Sequence, residues 1–143
     1  MKYPRSPHEK IDGIVYFGRM VDKIRLQAAG ELPSDLHANL GTGFDERCCD
    51  FLHVSYEALK TNVSPAISDT QALEWCFQQG RKPSEQEREI WSEFMRKRGW
   101  NDEASIRLAQ RKRESGFEDR DDIQTFFDYI DLDEGRDPRA KVK

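Results

Sequence analysis

A chain of 143 residues is long enough to bury a hydrophobic core without disulfides or a structural metal, so a single domain is the expected organisation. Charged residues make up 35% of the chain and the net charge is −4, while eight Phe and three Trp exclude general disorder. No apolar run approaches the roughly 18 residues that cross a bilayer, and the N-terminal sequence lacks the apolar stretch of a secretory signal. We therefore expect a soluble, cytoplasmic protein.

The spacing of the apolar residues predicts an all-α fold, because no segment shows a persuasive strand-like alternation. The first helix is predicted over residues 15–29, where apolar residues three and four apart share one face and Gly30 follows. A second helix is predicted after the turn at residues 41–43, with Asp45 as its N-cap. A short third helix is predicted over residues 56–61.

Two capping boxes predict the starts of the next two helices. Ser68 with Gln71, and Ser84 with Glu87, have the spacing at which each side chain can accept a hydrogen bond from the other residue's backbone. The first of these helices is expected to end near Gly80, and the second before Gly99. The predicted buried residues of the second are Ile90, Trp91, Phe94 and Met95.

Two further helices complete the prediction. Asn101 is expected to cap a helix over residues 102–115, and the last helix is expected to begin near Asp121 or Asp122 and to end at Gly135. The predicted buried residues of the last helix are Ile123, Phe126, Phe127 and Ile130. The sequence thus predicts a compact single-domain bundle of about six to seven short helices over residues 1–138, with a charged, frayed tail at 139–143.

Charge is distributed unevenly along the chain. Residues 81–113 contain ten Lys or Arg and six Asp or Glu, whereas residues 114–137 contain ten acids and two bases. Two basic stretches, residues 96–98 and 111–113, lie near predicted helix C-termini, where cations complement the helix dipole, and acids are interleaved with the first of them. We therefore interpret the basic stretches as solvated helix faces, and nucleic-acid binding is not expected.

The three cysteines have no framework spacing and indicate free thiols. Asp45, Cys49 and His53 are four residues apart and would share one helix face, as in half of a zinc site. No strong fourth ligand is evident, so neither a metal nor another cofactor is predicted. Cys48 lies on the apolar stripe, which favours packing over thiol catalysis.

Charged side chains of the first helix, Arg19, Asp22, Lys23 and Arg25, could converge with the turn that ends at Arg47. Two interpretations remain open. The cluster could form a polar pocket for an anionic metabolite, or a buried ion-pair network that fixes the bundle. The network is favoured, because ion pairs at helix junctions are commoner than sites.

Several short segments, taken together and in order, resemble the uncharacterised, mainly bacterial family named domain of unknown function 5069. The segments are residues 22–25 with 30–33, residues 43–47, residues 68–75 and residues 126–136. The resemblance implies a small stand-alone domain without an assigned activity. It directs attention to Asp22, Lys23, Arg25, Gly43, Asp45, Arg47, Trp75, Asp128, Asp131, Glu134 and Arg136.

Two functional hypotheses follow. The first is a small binding or interaction module, without a cofactor, whose partner is another protein or a small anionic ligand. In it, the cations Lys23, Arg25 and Arg47 pair with the acids Asp128, Asp131 and Glu134. The alternative is a small enzyme in which Asp45 or Asp128 acts as acid or base on an anionic metabolite. A pocket with a raised-pKa carboxylate beside unpaired cations would favour the enzyme, and fully satisfied ion pairs would favour the module.

Overall fold

In the computed structural model, residues 2–138 are described, and they form a mostly helical domain with a small two-stranded sheet. The strands are β1 (Lys10–Ile11) and β2 (Ile14–Val15). The α-helices are α1 (Phe17–Ala28), α2 (Phe44–Leu52), α3 (Tyr56–Asn62), α4 (Asp69–Gln79), α5 (Glu85–Lys97), α6 (Ser105–Glu114) and α7 (Phe126–Asp133). A 3-10 helix, Ser34–Asn39, lies between α1 and α2. The prediction of a helical fold is confirmed, and the predicted tail at 139–143 lies outside the described residues.

The β-hairpin was not predicted. Asp12 and Gly13 both have positive φ, as a two-residue hairpin turn requires, and Ile11 pairs with Ile14 across the turn. Each strand has only two residues, so no alternation could show in the sequence. The Ser92 hydroxyl of α5 accepts from the Val15 backbone N–H and donates to the Gly13 carbonyl, which attaches the hairpin to α5.

The hydrophobic core surrounds α1. Phe17, Met20 and Val21 are fully buried, and residues from both strands and five further helices pack into the same cluster. The fully buried members from the other elements are Ile14, Val15, Cys48, Leu52, Leu59, Ala72, Cys76, Met95 and Phe127. Within residues 2–138, no helix is both long enough and apolar enough to span a bilayer.

Both predicted capping boxes are present, at Ser68 with Gln71 and at Ser84 with Glu87. They form from residues three apart, so they depend little on the rest of the fold. The two predicted helices accordingly begin where the sequence indicated, and α4 ends next to Gly80.

The predicted buried face of α5 was partly wrong. Ile90 is 62% exposed and Phe94 is 46% exposed, whereas Ser92 and Met95 are buried. The helix turns Ser92 inward because its hydroxyl satisfies two backbone groups of the hairpin. Trp91 lies at the boundary, with its ring stacked on Phe51 at a centroid distance of 4.6 Å.

The predicted starts of the last two helices were also wrong. Asn101 does not cap α6, which begins at Ser105, and the Asp102 carboxylate instead accepts from the backbone of Gly99 and Ala104. The N-cap of α7 is Thr125, whose hydroxyl accepts from the Asp128 backbone.

Ile123 is buried as predicted, but it lies in the segment before α7. Asp122 does not start the last helix, because its carboxylate instead pairs with Arg120. This ion pair lies within the loop before α7 and does not cap the helix.

Candidate functional site

A cavity of about 400 Å³ opens between α1, the 3-10 helix, the loop at residues 41–43, α6 and α7. Its volume is in the range of small-molecule sites. Its charged lining residues are Arg19, Lys23, Asp35, Arg107, Arg111, Asp133 and Glu134, and its aromatic ones are Tyr16, Phe44, Phe126 and Tyr129. We call this feature the α1–α7 cavity.

A buried triad of Tyr16, Lys23 and Asp45 lies at the base of the α1–α7 cavity. The Asp45 Oδ1 accepts from the Tyr16 hydroxyl at 2.6 Å and from the Lys23 ammonium at 2.9 Å. Its Oδ2 accepts from the Gly41 backbone at 2.9 Å. Because Asp45 is fully buried and bonded through both oxygens, it connects the first turn of α2 to α1.

Burial changes the acid–base properties of the two donors in the triad. It lowers the pKa of Lys23, although the charge of Asp45 opposes this change. Burial and the charge of Asp45 both raise the pKa of Tyr16 well above its ordinary value. Tyr16 therefore stays a hydrogen-bond donor to Asp45 at neutral pH.

The interpretation of Asp45 as a helix cap was wrong. The N-cap position of α2 is Gly43, with φ 59°, and no side chain makes a capping hydrogen bond there. The Asp45 side chain points inward because it accepts hydrogen bonds from two donors, Tyr16 directly before α1 and Lys23 within α1.

Tyr16 has a left-handed backbone, with φ 71° and ψ −29°, directly before α1. A bulky residue adopts this conformation only when its surroundings hold it there, at a cost of about 1–3 kcal/mol. The Tyr16 N–H donates to the Pro7 carbonyl, and the hydroxyl donates to Asp45. These bonds hold the ring at the wall of the cavity.

A second buried ion pair forms the wall between α1 and the end of α7. Arg19 donates to both oxygens of Glu134, at 2.8 and 2.6 Å. Burial opposes the charge of Arg19, but the hydrogen bond and charge of Glu134 prevail and raise the pKa of Arg19. Arg136 also contacts Glu134 and donates to Asp131 at 2.7 Å, so the end of α7 is fixed through several charges.

The remaining charges of the cavity are not paired with each other. Arg107 and Arg111 are exposed, lie one turn apart on α6, and have no ion-pair partner within 4 Å among residues 2–138. Asp35 and Asp133 line the cavity from the 3-10 helix and α7. Asp133 is an exposed residue, but the partial desolvation of its carboxyl raises its pKa, and the charges of Asp35 and Glu134 raise it further.

Of the residues selected from the sequence, Lys23, Gly43 and Glu134 line the cavity, and Asp45 lies directly behind Lys23. Arg25 and Asp22 lie in a separate cluster. Arg25 donates to Asp69 of α4 at 2.7 Å, and Asp22 accepts two side-chain hydrogen bonds from Arg5.

The other selected residues have different neighbours again. The guanidinium of Arg47 lies over the Phe94 ring, 5.6 Å from its centroid. The Asp128 carboxylate bonds to His8 at 2.8 Å, and Asp131 bonds to Ser6 and Arg136.

The predicted pairing of Lys23, Arg25 and Arg47 with the terminal acids was therefore wrong. The end of α7 meets α1 at Arg19, one turn before Lys23, and the first turn of α2 already occupies the contact with Lys23. The general expectation of ion pairs between the first helix and the terminal acids holds for Arg19 with Glu134.

Sequence reasoning missed four charged residues of the cavity: Asp35, Asp133, Arg107 and Arg111. Arg111 was interpreted as part of a solvated basic face. The spacing of four between Arg107 and Arg111 places them on one side of a helix, which is the signal that could have selected them.

The stripe of Asp45, Cys49 and His53 does not assemble into a ligand set. Among residues 2–138, no group of three or more His, Cys, Asp or Glu side chains is placed to hold a metal ion. His53 is exposed at the end of α2, whereas Cys49 is buried with its sulfur 3.8 Å from that of Met20.

All three cysteines are free and buried. Burial raises the pKa of Cys49 and of Cys76 to about 12, and raises that of Cys48 well above its ordinary value. These side chains are thiols at neutral pH, which argues against nucleophilic catalysis by them.

The fold and the site define a small helical domain with internal ion pairs around a charged cavity. The family model described as Domain of unknown function (DUF5069) matches residues 1–136, and the chain belongs to this family. A search of curated proteins found no match to the chain.

Proposed function

We propose that the protein is a binding module whose α1–α7 cavity takes a small molecule with an anionic group. The observation that carries this proposal is the pair Arg107 and Arg111, two exposed cations at the cavity with no ion-pair partner among residues 2–138. A guanidinium group offers planar, two-bond recognition of a carboxylate or phosphate.

The buried charges of the cavity support a scaffold role around this site. Arg19 is neutralised by Glu134, and Lys23 by Asp45, so these cations are already paired. Separating the partners of a buried pair would leave a buried charge uncompensated, so each pair ties together the two elements that carry it. The arginines of α6 are therefore the cations available to a ligand.

A thermal-shift screen with inorganic phosphate, simple carboxylates and nucleotides tests the proposal. A ligand at a hundredfold excess over its dissociation constant stabilises the folded state by about 2.7 kcal/mol. We expect at least one anion class to raise the melting temperature, and the double variant Arg107→Ala/Arg111→Ala to abolish that rise.

Arg113→Ala is the matched control, because Arg113 is exposed on the same helix and does not line the cavity. It should retain the response to the anion. If no anion stabilises the protein, or if the double variant responds as the control does, the proposal is overturned in favour of a protein partner.

A second candidate function is an enzyme acting on an anionic metabolite. The observation that favours it is Asp133, a cavity carboxyl whose pKa is raised and which shares the cavity with Arg107 and Arg111. The binding module is placed first because Asp133 is exposed and the buried cations of the cavity are already paired, Arg19 with Glu134 and Lys23 with Asp45. Asp45 and Asp128 are less suitable, because neither lines the cavity and both are engaged in hydrogen bonds.

To test the enzyme hypothesis, the protein is incubated with any anion that stabilises it, and chemical conversion of that anion is followed by NMR. Conversion that stops in Asp133→Asn, while the thermal shift remains, would support the enzyme. An unchanged spectrum would leave binding as the function.

We propose the cytoplasm as the location of the protein. Its support is chemical: Cys48, Cys49 and Cys76 are all free thiols, as is usual in a reducing compartment.

A further inference from the structure

We infer that the ligand of the α1–α7 cavity is a zwitterion, a small molecule with an anionic group at one end and an amine at the other. This inference rests on the proposed function, because it assumes that Arg107 and Arg111 hold the anionic group. It adds a second, acidic pole formed by Asp35 and Asp133.

The acidic pole is built from two elements far apart in sequence. Asp35 belongs to the 3-10 helix and Asp133 is the last residue of α7, and both are exposed residues that line the cavity. Neither has an ion-pair partner within 4 Å in the part of the chain that the structure describes. Glu134 differs, because Arg19 and Arg136 neutralise it. Two negative charges therefore face the cavity without compensation.

The acidic and basic poles line one cavity but form no ion pair with each other. Arg107 and Arg111 are carried by α6, whereas the acids are carried by the 3-10 helix and α7, so separate backbone elements position the two poles. Opposite charges in a structural network would be expected in contact, as they are in Arg19 with Glu134. Because the charged atoms of the two poles do not come within 4 Å of each other, a molecule in the cavity of about 400 Å³ can contact both poles.

Charge complementarity selects among the possible ligands. A dianion would bring negative charge towards Asp35 and Asp133, and a monoanion would leave both acids unneutralised. A molecule with an acid and an amine would satisfy the two poles together. Phe44 and Phe126, which also line the cavity, provide an apolar surface for a hydrocarbon spacer between the two groups.

Calorimetric titration with matched probes tests the inference. The zwitterions are 4-aminobutanoate and 6-aminohexanoate, and the matched compounds are butanoate, hexanoate, succinate and hexylamine. We expect at least one amino acid to bind the wild-type protein roughly tenfold or more tightly than its matched monoacid, a difference of about 1.4 kcal/mol. The diacid should bind more weakly than the amino acid.

Variants assign each end of the probe. Asp35→Asn/Asp133→Asn should lose the preference for the amino acid and keep the affinity for the monoacid, whereas Arg107→Ala/Arg111→Ala should lose binding of both. Asp119→Asn is the control, because Asp119 is exposed and does not line the cavity.

Three results would overturn the inference. If monoacids bind through the two arginines but amino acids bind no more tightly, the inference of a zwitterionic ligand is wrong and the proposed function stands. If none of the probes binds and no anion stabilises the protein in the thermal-shift screen, both fail. If Asp35→Asn/Asp133→Asn lowers the melting temperature without any probe, the acids are paired with the arginines in the free protein, and the acidic pole does not exist.

Discussion

The guanidinium of Arg19 and the carboxylate of Glu134 form an ion pair through two hydrogen bonds of 2.8 and 2.6 Å, and each side chain is only 3% exposed. The pair joins the first turn of α1 to the residue that follows α7, across 115 positions of the sequence. It forms one wall of the α1–α7 cavity.

Glu134→Gln is expected to destabilise the protein by about 3–5 kcal/mol, because it leaves the buried Arg19 charge without its counter-ion. Chemical denaturation of the variant and the wild type measures the difference. Glu118→Gln, at an exposed acid of the same charge-rich region, should change stability by less than about 0.5 kcal/mol. Equal stabilities for the two variants would contradict a structural role for the pair.

Asp45→Asn is expected to cost more stability than Lys23→Met. The first change weakens an acceptor that serves Tyr16, Lys23 and the Gly41 backbone, whereas the second leaves Asp45 with two donors. Because the two residues are in contact, the loss in the double variant should be smaller than the sum of the single losses by about 0.5–3 kcal/mol. Additive losses in denaturation experiments would show that Lys23 and Asp45 do not interact.

Asp133→Asn is expected to stabilise the free protein at pH 7. The pKa of Asp133 is higher in the folded state than in the unfolded chain, so the folded state binds the proton more strongly and loses stability as the pH rises through the folded-state pKa. The neutral variant avoids this loss, which arises from burial and from the charges of Asp35 and Glu134.

Melting temperatures from pH 3 to 8 test this expectation. The advantage of Asp133→Asn should disappear as the pH falls towards about 4, near the ordinary pKa of an Asp. Asp119→Asn should show no such trend. A variant less stable than the wild type at pH 7 would mean that Asp133 makes a favourable contact in the folded protein.

The three cysteines should react slowly with a thiol reagent such as iodoacetamide at pH 8. Burial blocks access to Cys48, Cys49 and Cys76 and keeps them protonated. Mass spectrometry should find less labelling in the native protein than in the same protein in denaturant, where all three sites should react. Rapid labelling of any one of these cysteines in the native protein would contradict the prediction and indicate a reactive thiol.

Gly80→Ala is expected to destabilise the protein by about 3 kcal/mol or more, because a Cβ there would lie 1.9 Å from the backbone oxygen of Leu52. The same segment is held by a hydrogen bond from the Arg81 N–H to that oxygen, so neither chain can move freely. Gly30→Ala is the control. Its added Cβ meets open space, and its positive φ should cost about 1–2 kcal/mol. Similar losses in thermal unfolding would contradict the steric argument.

Features that depend on neighbours in the sequence could be predicted. The capping boxes at Ser68 and Ser84 involve residues three positions apart, so their geometry is set once a helix begins. The helical class of the fold followed from apolar spacing in the same way. The hairpin at Asp12 and Gly13 was not predicted, because strands of two residues carry no periodic signal.

The orientation of α5 and the partners of the charged residues depended on the tertiary structure. Apolar spacing predicted that Phe94 faces the core. Ser92 faces the hairpin instead, because its hydroxyl bonds to the backbone of Val15 and Gly13. Lys23 was correctly singled out as a charge of the first helix, yet its partner is Asp45 and not a terminal acid. Helix spacing gives the face of a helix on which a residue lies, while the element that packs against that face selects the partner.

By itself, the sequence determined a helical protein with local helix starts and a set of charges that had to be paired or solvated. Only the tertiary structure decided which of these charges form buried ion pairs and which stay exposed. It neutralised Arg19 with Glu134, and left Arg107 and Arg111 without ion-pair partners among residues 2–138 at a cavity. The physical reason is that Coulomb energy depends on distance and burial, and both are set by elements that lie far apart along the chain.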